Sequence, residues 1–179
     1  MKEVTNDLTS VYGQMIRSAR KERDLTPDEF AESLHVSRSL TEKWETGDRQ
    51  VMDAYRRDIA ETLDSPELYF QTWKESTGFV SLPYLNGRNI DHHPSAMKHM
   101  ALREVGEALH HMDHVCWVKP ADVRKDQERE DIKRVIYELL DAATTLINLV
   151  AVLVRKYDFS MKRVFRDWRL TVKARGWKQ

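Results

Sequence analysis

The apolar residues between positions 132 and 157 recur at a spacing that places them on one face of a long helix. Successive members are separated by 4, 3, 4, 3, 4, 3 and 4 residues, which is an a/d heptad pattern. The members of this heptad seam are Ile132, Ile136, Leu139, Ala143, Leu146, Val150, Leu153 and Tyr157. A second apolar row, formed by Leu140, Ile147 and Val154, lies beside it. So wide an apolar surface predicts a helical bundle rather than a two-stranded coiled coil.

The rest of the chain is also predicted to be helical, and the expected fold class is all-α. Helical spacing and boundary residues predict helices over residues 12–23, 27–34, 38–46, 52–63, 66–73, 95–114, 121–157 and 161–175. A segment rich in Gly, Pro, Asn and Ser separates the two halves and is predicted to be a linker that packs on the C-terminal domain. The predicted domains are therefore residues 1–75 and 96–179, joined by the linker at 76–95.

Two short predicted helices near the N-terminus meet at a tight turn. The stretch "DLTPDEF" offers Thr26 as N-cap, Pro27 at the first helical position and Glu29 as the acidic partner of a capping box. Ser37 is the next N-cap candidate and Gly47 is a stop signal. Because only "HV" separates the two helices, they must cross at a steep angle, as in a helix-turn-helix.

Residues 12–70 resemble the Cro/C1-type helix-turn-helix domain of the XRE family. The resemblance lies in "IRSARKERDLTPDEFAESLHVSRSLTEKWETGDR" and in "IAETL" further on. It implies an N-terminal five-helix domain of that type, followed here by a C-terminal helical oligomerisation domain. It also implies a sequence-specific DNA-binding transcriptional regulator. Because the resemblance is common among phage and mobile-element repressors, including regulators of Gram-positive bacteria, we expect repression.

The resemblance assigns roles to individual residues. The positions that face base edges in the family's recognition helix are Arg38, Ser39 and Lys43 here, and the phosphate-contacting positions are Ser37, Thr46 and Arg49. Arg20 and Glu45 match a structural ion pair of the family. The residue types agree with these roles, because arginine is the best bidentate partner for guanine and lysine can reach the same base edge. Trp44 is expected in the core.

Charge is distributed unevenly along the chain. Residues 1–64 carry 10 basic and 14 acidic side chains, a net charge of −4, whereas residues 155–179 carry 9 and 2, a net charge of +7. Since phosphate contacts supply much of the affinity for DNA, one acidic copy should bind weakly. We therefore expect a homo-oligomer, dimer or tetramer, that binds palindromic operators. The heptad seam would bury against another subunit or, alternatively, within a three-helix core of the same chain.

The basic tail allows two interpretations. Arginine and lysine alternate there with aromatic and aliphatic residues, in "MKRVFRDWRLTVKARGW". The tail would add non-specific attraction to DNA. Alternatively, it would balance the acidic first domain of a neighbouring subunit, and its aromatic residues favour this second interpretation.

Two other functions remain open from the sequence. In "HHMDHVC", His110 and His114 share one helix face and Cys116 follows, a spacing compatible with a metal-responsive sensor. Further ligands would have to come from His92, His93 or His99. The second possibility is a protein-binding adaptor or a regulator that responds to an antirepressor or signal protein. DNA binding is better supported by the sequence than either alternative, and we expect no bound metal and no cofactor.

Several classes of protein are not expected. The single cysteine excludes an intrachain disulfide and is typical of a reducing cytosol. The N-terminal residues do not have the apolar segment of a signal peptide, and the apolar run at 142–154 is shorter than the roughly 20 residues of a membrane span. No nucleophile–base pair, phosphate loop or paired-carboxylate motif is recognisable, so we expect a cytoplasmic protein that is not an enzyme.

Overall fold

The computed structural model describes residues 2–78 and 80–178, and residues 2–10 by their backbone alone. Over these residues the chain is all-α, as predicted, with one 3-10 turn at Ala121–Val123 and no β-strand. The helices are α1 (Lys2–Glu22), α2 (Pro27–Ser33), α3 (Arg38–Thr46), α4 (Asp53–Leu63), α5 (Pro66–Thr77), α6 (Pro94–Asp113), α7 (Asp126–Lys156) and α8 (Met161–Ala174).

Contacts along the chain define two compact units. The first contains Met1–Ser81 together with Ser160–Gln179, and the second contains Leu82–Phe159. This grouping differs from the predicted division in two places. Helix α8 belongs to the first unit, and most of the predicted linker belongs to the second.

Local capping signals determine where α2 and α3 begin and end. The Thr26 hydroxyl accepts from the Glu29 amide at 3.2 Å, and the Glu29 carboxylate accepts from the Thr26 amide at 2.8 Å, which completes the predicted capping box. In the turn after α2, His35 has a φ of 55°, a left-handed conformation that few non-glycine residues adopt. Gly47, which ends α3, also has a left-handed backbone conformation, with a φ of 81°.

Helices α1 to α5 together enclose the core of the first unit. Its fully buried members include Ile16, Phe30, Trp44, Ile59, Leu63 and Leu68. Helices α1 and α3 approach so closely that a Cβ atom at Gly13 would lie 2.3 Å from the carbonyl oxygen of Trp44. Glycine at this position therefore sets the distance between the two helices.

Helix α8 is attached to the first unit through its first turn. The Lys162 ammonium lies 2.5 Å from a carboxylate oxygen of Glu61, and the Lys162 amide donates to Asp64 at 3.0 Å. The hydrogen bond from Lys162, followed by that from Arg57, lowers the pKa of Glu61. The basic tail thus meets acidic residues of its own chain, an arrangement that neither sequence interpretation included.

The second unit is built on an antiparallel pair of long helices, α6 and α7, with residues 82–92 laid along α7. We call residues 82–92 the strap. Asn148 of α7 is 1% exposed and holds the strap with two hydrogen bonds, accepting from the Leu85 amide and donating to the Pro83 carbonyl, each at 2.9 Å. The linker therefore packs on the C-terminal domain, as the sequence predicted.

Half of the residues of the heptad seam are left exposed by the described part of the chain. Ile136, Leu139, Leu146 and Tyr157 are 50%, 43%, 47% and 62% exposed, whereas the other seam residues are partly buried. The fully buried positions of α7, among them Val135, Ala142, Asn148 and Val152, lie mainly on another face of the helix. The described part of the chain thus leaves an apolar stripe along α7.

Helix α7 is continuous over 31 residues, longer than the apolar run considered in the sequence. By length and composition alone it is sufficient to cross a membrane, with a mean hydropathy of 1.6 over an 18-residue window. In the structure 39% of that window is buried, and core helices of soluble proteins meet the same criterion.

Candidate nucleic-acid interface

Helix α3 is anchored to the first unit by one face. Trp44 is 1% exposed, and its ring packs 5.2 Å from the ring of Tyr55. Beside it, Arg20 of α1 donates from Nε to one oxygen of Glu45 at 2.6 Å and from Nη2 to the other at 2.9 Å. The hydrogen bond to Glu45 raises the pKa of Arg20. This is the predicted ion pair, and it joins the buried face of α3 to α1.

The opposite face of α3 is exposed and polar. Arg38, Ser39 and Lys43, the three predicted base-reading residues, all lie on it. At 100° per residue, these side chains occupy the half of the helix that points away from Trp44. Glu42 lies between them on the same face. A single surface therefore carries all three residues that the sequence singled out, together with one carboxylate.

Arg38 is held by two carboxylates. Its Nε donates to Glu42 at 2.8 Å, and its Nη1 donates to Asp28 of α2 at 2.9 Å. The hydrogen bond to Glu42, followed by the charge of Asp28, raises the pKa of Arg38. This clamp orients the guanidinium, but the same two carboxylates compete with any base or phosphate for its donors.

The three predicted phosphate-contacting residues differ in their surroundings. Ser37 occupies the N-cap position of α3, but its hydroxyl makes no capping hydrogen bond. The Thr46 hydroxyl lies 2.6 Å from Asp48, and the backbone amide of Arg49 donates to the Lys43 carbonyl at 3.1 Å. All three side chains are exposed. They lie at the two ends of α3, where they could flank a bound duplex.

The histidines that the sequence offered as metal ligands do not converge in the described residues. The His110 and His114 rings are tilted by 50° with centroids 4.3 Å apart, and Nδ1 of His114 lies 2.6 Å from the His110 carbonyl oxygen. Cys116 is exposed in the following loop. Together they form no group of three close ligand atoms within the part of the chain that the structure describes.

Three carboxylates on the α6–α7 pair do converge, although no feature singled out in the sequence predicted them. Ligand oxygens of Glu104, Glu138 and Asp141 lie within 4.8 Å of one another, and His111 Nε2 is 3.6 Å from Glu138. Oxygen ligands of this kind suit magnesium, calcium or manganese. The available signal was the i, i+3 spacing of Glu138 and Asp141, which places both carboxylates on one helix face. We call Glu104, Glu138 and Asp141 the acidic cluster.

The chain matches no protein-family model, no curated protein and no solved structure. The function of the chain is therefore inferred from its residues and their geometry.

Proposed function

We propose that this protein is a sequence-specific DNA-binding transcriptional regulator of the XRE family, and that α2 and α3 form its Cro/C1-type helix-turn-helix. One observation carries the proposal: α3 is fixed by a buried face, through Trp44 and Glu45, while its opposite face is exposed and polar. A recognition helix needs this combination, because it must enter the major groove as a rigid body and present side chains to base edges.

Within this proposal Arg38, Ser39 and Lys43 read bases. Arg38 would donate in bidentate fashion to guanine, a contact that contributes about 1–3 kcal/mol of discrimination. Its ion pairs with Asp28 and Glu42 are exposed, so exchanging them for a base costs little. The residues proposed to contact phosphates, and thereby to set the register on the duplex, are Ser37, Thr46 and Arg49.

The proposed regulator acts as a homo-oligomer, either dimer or tetramer. Support comes from the exposed part of the heptad seam, because an apolar stripe on a long helix is the kind of surface that a second copy covers. Two copies on a two-fold axis would present recognition helices one DNA turn apart and bind a palindrome. Joining two weak sites raises the affinity through effective concentration, which compensates for the acidic first domain.

The protein acts in the cytoplasm, as a repressor, without a cofactor, enzymatic activity or attachment to a membrane. Repression rests on the resemblance to phage and mobile-element repressors. Thr145 and Asn148 of α7 are buried within the second unit, where Asn148 holds the strap. These buried polar residues argue against a position of α7 in a membrane.

The decisive experiment selects bound DNA from a random pool and then tests variants on the selected site. Replacing Arg38 and Lys43 together by alanine should weaken binding by at least about tenfold. The matched control replaces Arg17 and Lys21, two exposed basic residues of α1, and removes the same charge. Equal losses in the two double variants would show that α3 does not read the sequence, and failure to select any common site would contradict DNA recognition itself.

A first alternative is a protein-binding adaptor, or a regulator controlled by an antirepressor or signal protein. The net charge of −4 on residues 1–64 supports it, because a basic partner would then be favoured over DNA. The selected duplex distinguishes the two: binding that weakens steeply with salt supports DNA recognition, whereas no binding to any duplex supports the adaptor.

A second alternative is a metal-responsive sensor, and the acidic cluster is a better basis for it than the histidines. Calorimetric titration of the full chain with manganese or magnesium would test it directly. Replacing Glu138 and Asp141 by their amides should abolish saturable binding if the cluster holds the ion. His110→Ala with His114→Ala is the control, and loss of binding in that variant alone would assign the ion to the histidines.

A further inference from the structure

Helix α8 carries its basic and its apolar side chains on two separate faces. At 100° per residue, the basic side chains lie within an arc of about 120°, and most of the large apolar side chains lie within another. The basic face consists of Lys162, Arg163, Arg166, Arg169 and Lys173, all of them exposed. The apolar face consists of Met161, Val164, Phe165, Trp168 and Val172. We propose that the basic face of α8 is a second DNA contact, which binds the phosphate backbone of a duplex whatever its sequence.

This inference rests on the proposed DNA-binding function and adds a second surface to it. Helix α3 would read base edges, which gives specificity. Contacts to phosphates supply affinity and fix the position on the duplex, but they carry no sequence information. The two surfaces therefore have different roles, and separate measurements can test them.

The first unit obtains its positive charge from the segment that contains α8. Residues 1–81 carry 11 basic and 16 acidic side chains, a net charge of −5. Residues 160–179 carry 7 and 1, a net charge of +6, and they belong to the same compact unit. The folded unit thus has a net charge of +1, with its positive charge concentrated on one helix. A local basic surface of this kind is typical of proteins that bind nucleic acids.

The attachment of α8 leaves its basic face towards solvent. Met161 is 5% exposed, and Phe165 and Val172 are partly buried, so the apolar face is largely covered by the chain itself. Lys162 fixes the first turn through its contacts with Glu61 and Asp64 of α4 and its C-cap. The other basic side chains are exposed beyond this attachment, on the same unit as α3.

The cations follow one another along α8 at short, regular intervals. Arg163, Arg166, Arg169 and Lys173 are separated by 3, 3 and 4 residues. At about 1.5 Å per residue they span roughly 15 Å of the helix axis. One DNA strand carries a phosphate about every 3.4 Å along its axis, so roughly 15 Å of strand presents four to five phosphates. The number of cations therefore matches the number of phosphates within reach.

An anionic membrane is the other large polyanion that a basic amphipathic helix binds. Such a helix inserts its apolar face about 5–10 Å into the lipid. In α8 that face is in use, because Met161 is buried and the partly buried Phe165 ring packs 6.1 Å from the ring of Trp168. Insertion would require α8 to leave the first unit, although Trp168 itself is 56% exposed. Contact between the basic face and a duplex requires no such rearrangement.

A simpler explanation is that α8 only offsets the carboxylates of its own unit. Within the described residues, the ion pairs of α8 join Lys162 to Glu61 and Arg166 to its neighbour Asp167. That explanation gives no role to the remaining basic side chains. It also predicts that their removal leaves DNA binding unchanged.

The test measures the affinity of the full chain for a fluorescent duplex of arbitrary sequence at several salt concentrations. In one variant Arg163, Arg169 and Lys173 are replaced by glutamine, which retains helix propensity. We expect the affinity at low salt to fall by at least about tenfold, because three phosphate contacts are lost. The slope of log affinity against log salt should decrease in magnitude by about 2 to 3, since each contact contributes about 0.9.

The matched control replaces two arginines and one lysine that are exposed in the second unit, Lys98, Arg129 and Arg134, by glutamine. This variant should keep the wild-type slope, and circular dichroism reports the folding of both variants. An unchanged slope in the α8 variant, or an equal decrease in the control, would overturn the proposal. Loss of binding to phosphatidylglycerol vesicles with unchanged binding to the duplex would also overturn it and assign the basic face to a lipid surface.

Failure of the proposed function would give a different result. Replacing Arg38 and Lys43 by alanine tests α3 and should reduce the preference for the selected site over an arbitrary duplex. If the wild-type chain shows no such preference, but the α8 variant still lowers the salt slope, α3 is not the reader and the contact by α8 is supported. If the preference is present and the slope does not change, α3 is supported and the contact by α8 is refuted.

Discussion

Arg20 and Glu45 form a bidentate ion pair that joins α1 to α3, with N–O distances of 2.6 and 2.9 Å. Both side chains are more than nine-tenths buried. A third donor of Arg20 binds the Leu25 carbonyl at 2.7 Å, so one guanidinium orients α1, α3 and the turn before α2. The position of the proposed recognition helix thus depends on a charge pair beneath it.

Removing either partner of this pair should destabilise the protein strongly. Glu45→Gln or Arg20→Met leaves an unpaired buried charge, and we expect a loss of about 3 kcal/mol in the free energy of unfolding. Urea denaturation measures it. The double variant should lose less than the sum of the two single losses, because no charge is left unpaired. Additive losses would indicate that the pair is not coupled in solution.

Gly13 and Gly106 should respond oppositely to alanine. A Cβ atom at Gly13 would meet backbone oxygens of Trp44 and Glu45 at 2.3 and 3.0 Å, so α1 and α3 must separate and the protein should be destabilised. Gly106 lies within α6 with nothing within 4 Å of an added Cβ, and Gly106→Ala should stabilise by up to about 1 kcal/mol. Thermal unfolding compares them, and stabilisation by Gly13→Ala would contradict the close approach.

Releasing Arg38 from Glu42 should strengthen DNA binding, if the proposed function is correct. Glu42→Gln removes a negative charge from the exposed face of α3 and frees Nε of Arg38. We expect the affinity for the selected operator to rise by about threefold to tenfold at low salt, with a smaller gain at high salt. Fluorescence anisotropy at two salt concentrations measures this. Glu32→Gln, an exposed glutamate of α2, is the control for charge alone, and an equal gain there would exclude the clamp as the cause.

The exposed heptad seam should determine the oligomeric state. Replacing Leu139 and Leu146 by glutamate places charges on the apolar stripe and should dissociate the oligomer without unfolding the chain, since both side chains are more than two-fifths exposed. Light scattering coupled to gel filtration gives the mass. Val118→Glu, at a fully exposed loop position, should leave the mass unchanged. A wild-type monomer at micromolar concentration would contradict the oligomer.

The capping box of α2 should lose its contribution in acid. Bonds from the Thr26 amide and then from its hydroxyl lower the pKa of Glu29 below its ordinary value of 4.5. Because the pKa of Glu29 is lower in the folded state than in the unfolded state, the ionised carboxylate stabilises the protein at pH values above its unfolded-state pKa. This contribution is lost as the pH falls through the folded-state pKa. Carboxyl resonances in an NMR titration should therefore give Glu29 a midpoint below 4.5. A midpoint at or above 4.5 would show that the capping box is open in solution.

Local signals in the sequence predicted the helices well. Thr26 with Glu29, Pro27 and Gly47 act within one turn of the residues that they cap, so adjacent residues determine the boundaries of α2 and the end of α3. The predicted start of the first helix was wrong, because the sequence indicated residue 12 whereas α1 begins at Lys2. Propensity alone does not mark the start of a helix that lacks a clear cap.

Contacts between distant residues could not be predicted in the same way. Asp28 and Arg38 lie ten residues apart on different helices, and their ion pair depends on how α2 and α3 pack. In the sequence, Asn148 is only one polar residue within an apolar helix. Its bonds to the strap span 63 and 65 residues and exist only once the chain has folded back.

The sequence by itself determined the all-α class, most of the helix boundaries, the buried position of Trp44 and the pairing of Arg20 with Glu45, because short-range periodicity, caps and a family resemblance carry that information. Tertiary structure alone decided that α8 lies with the first unit, that much of the heptad seam stays exposed, and that Glu104, Glu138 and Asp141 converge. Periodicity shows that a helix has an apolar face. Only packing decides which residues cover that face, since several partners of similar polarity compete for it.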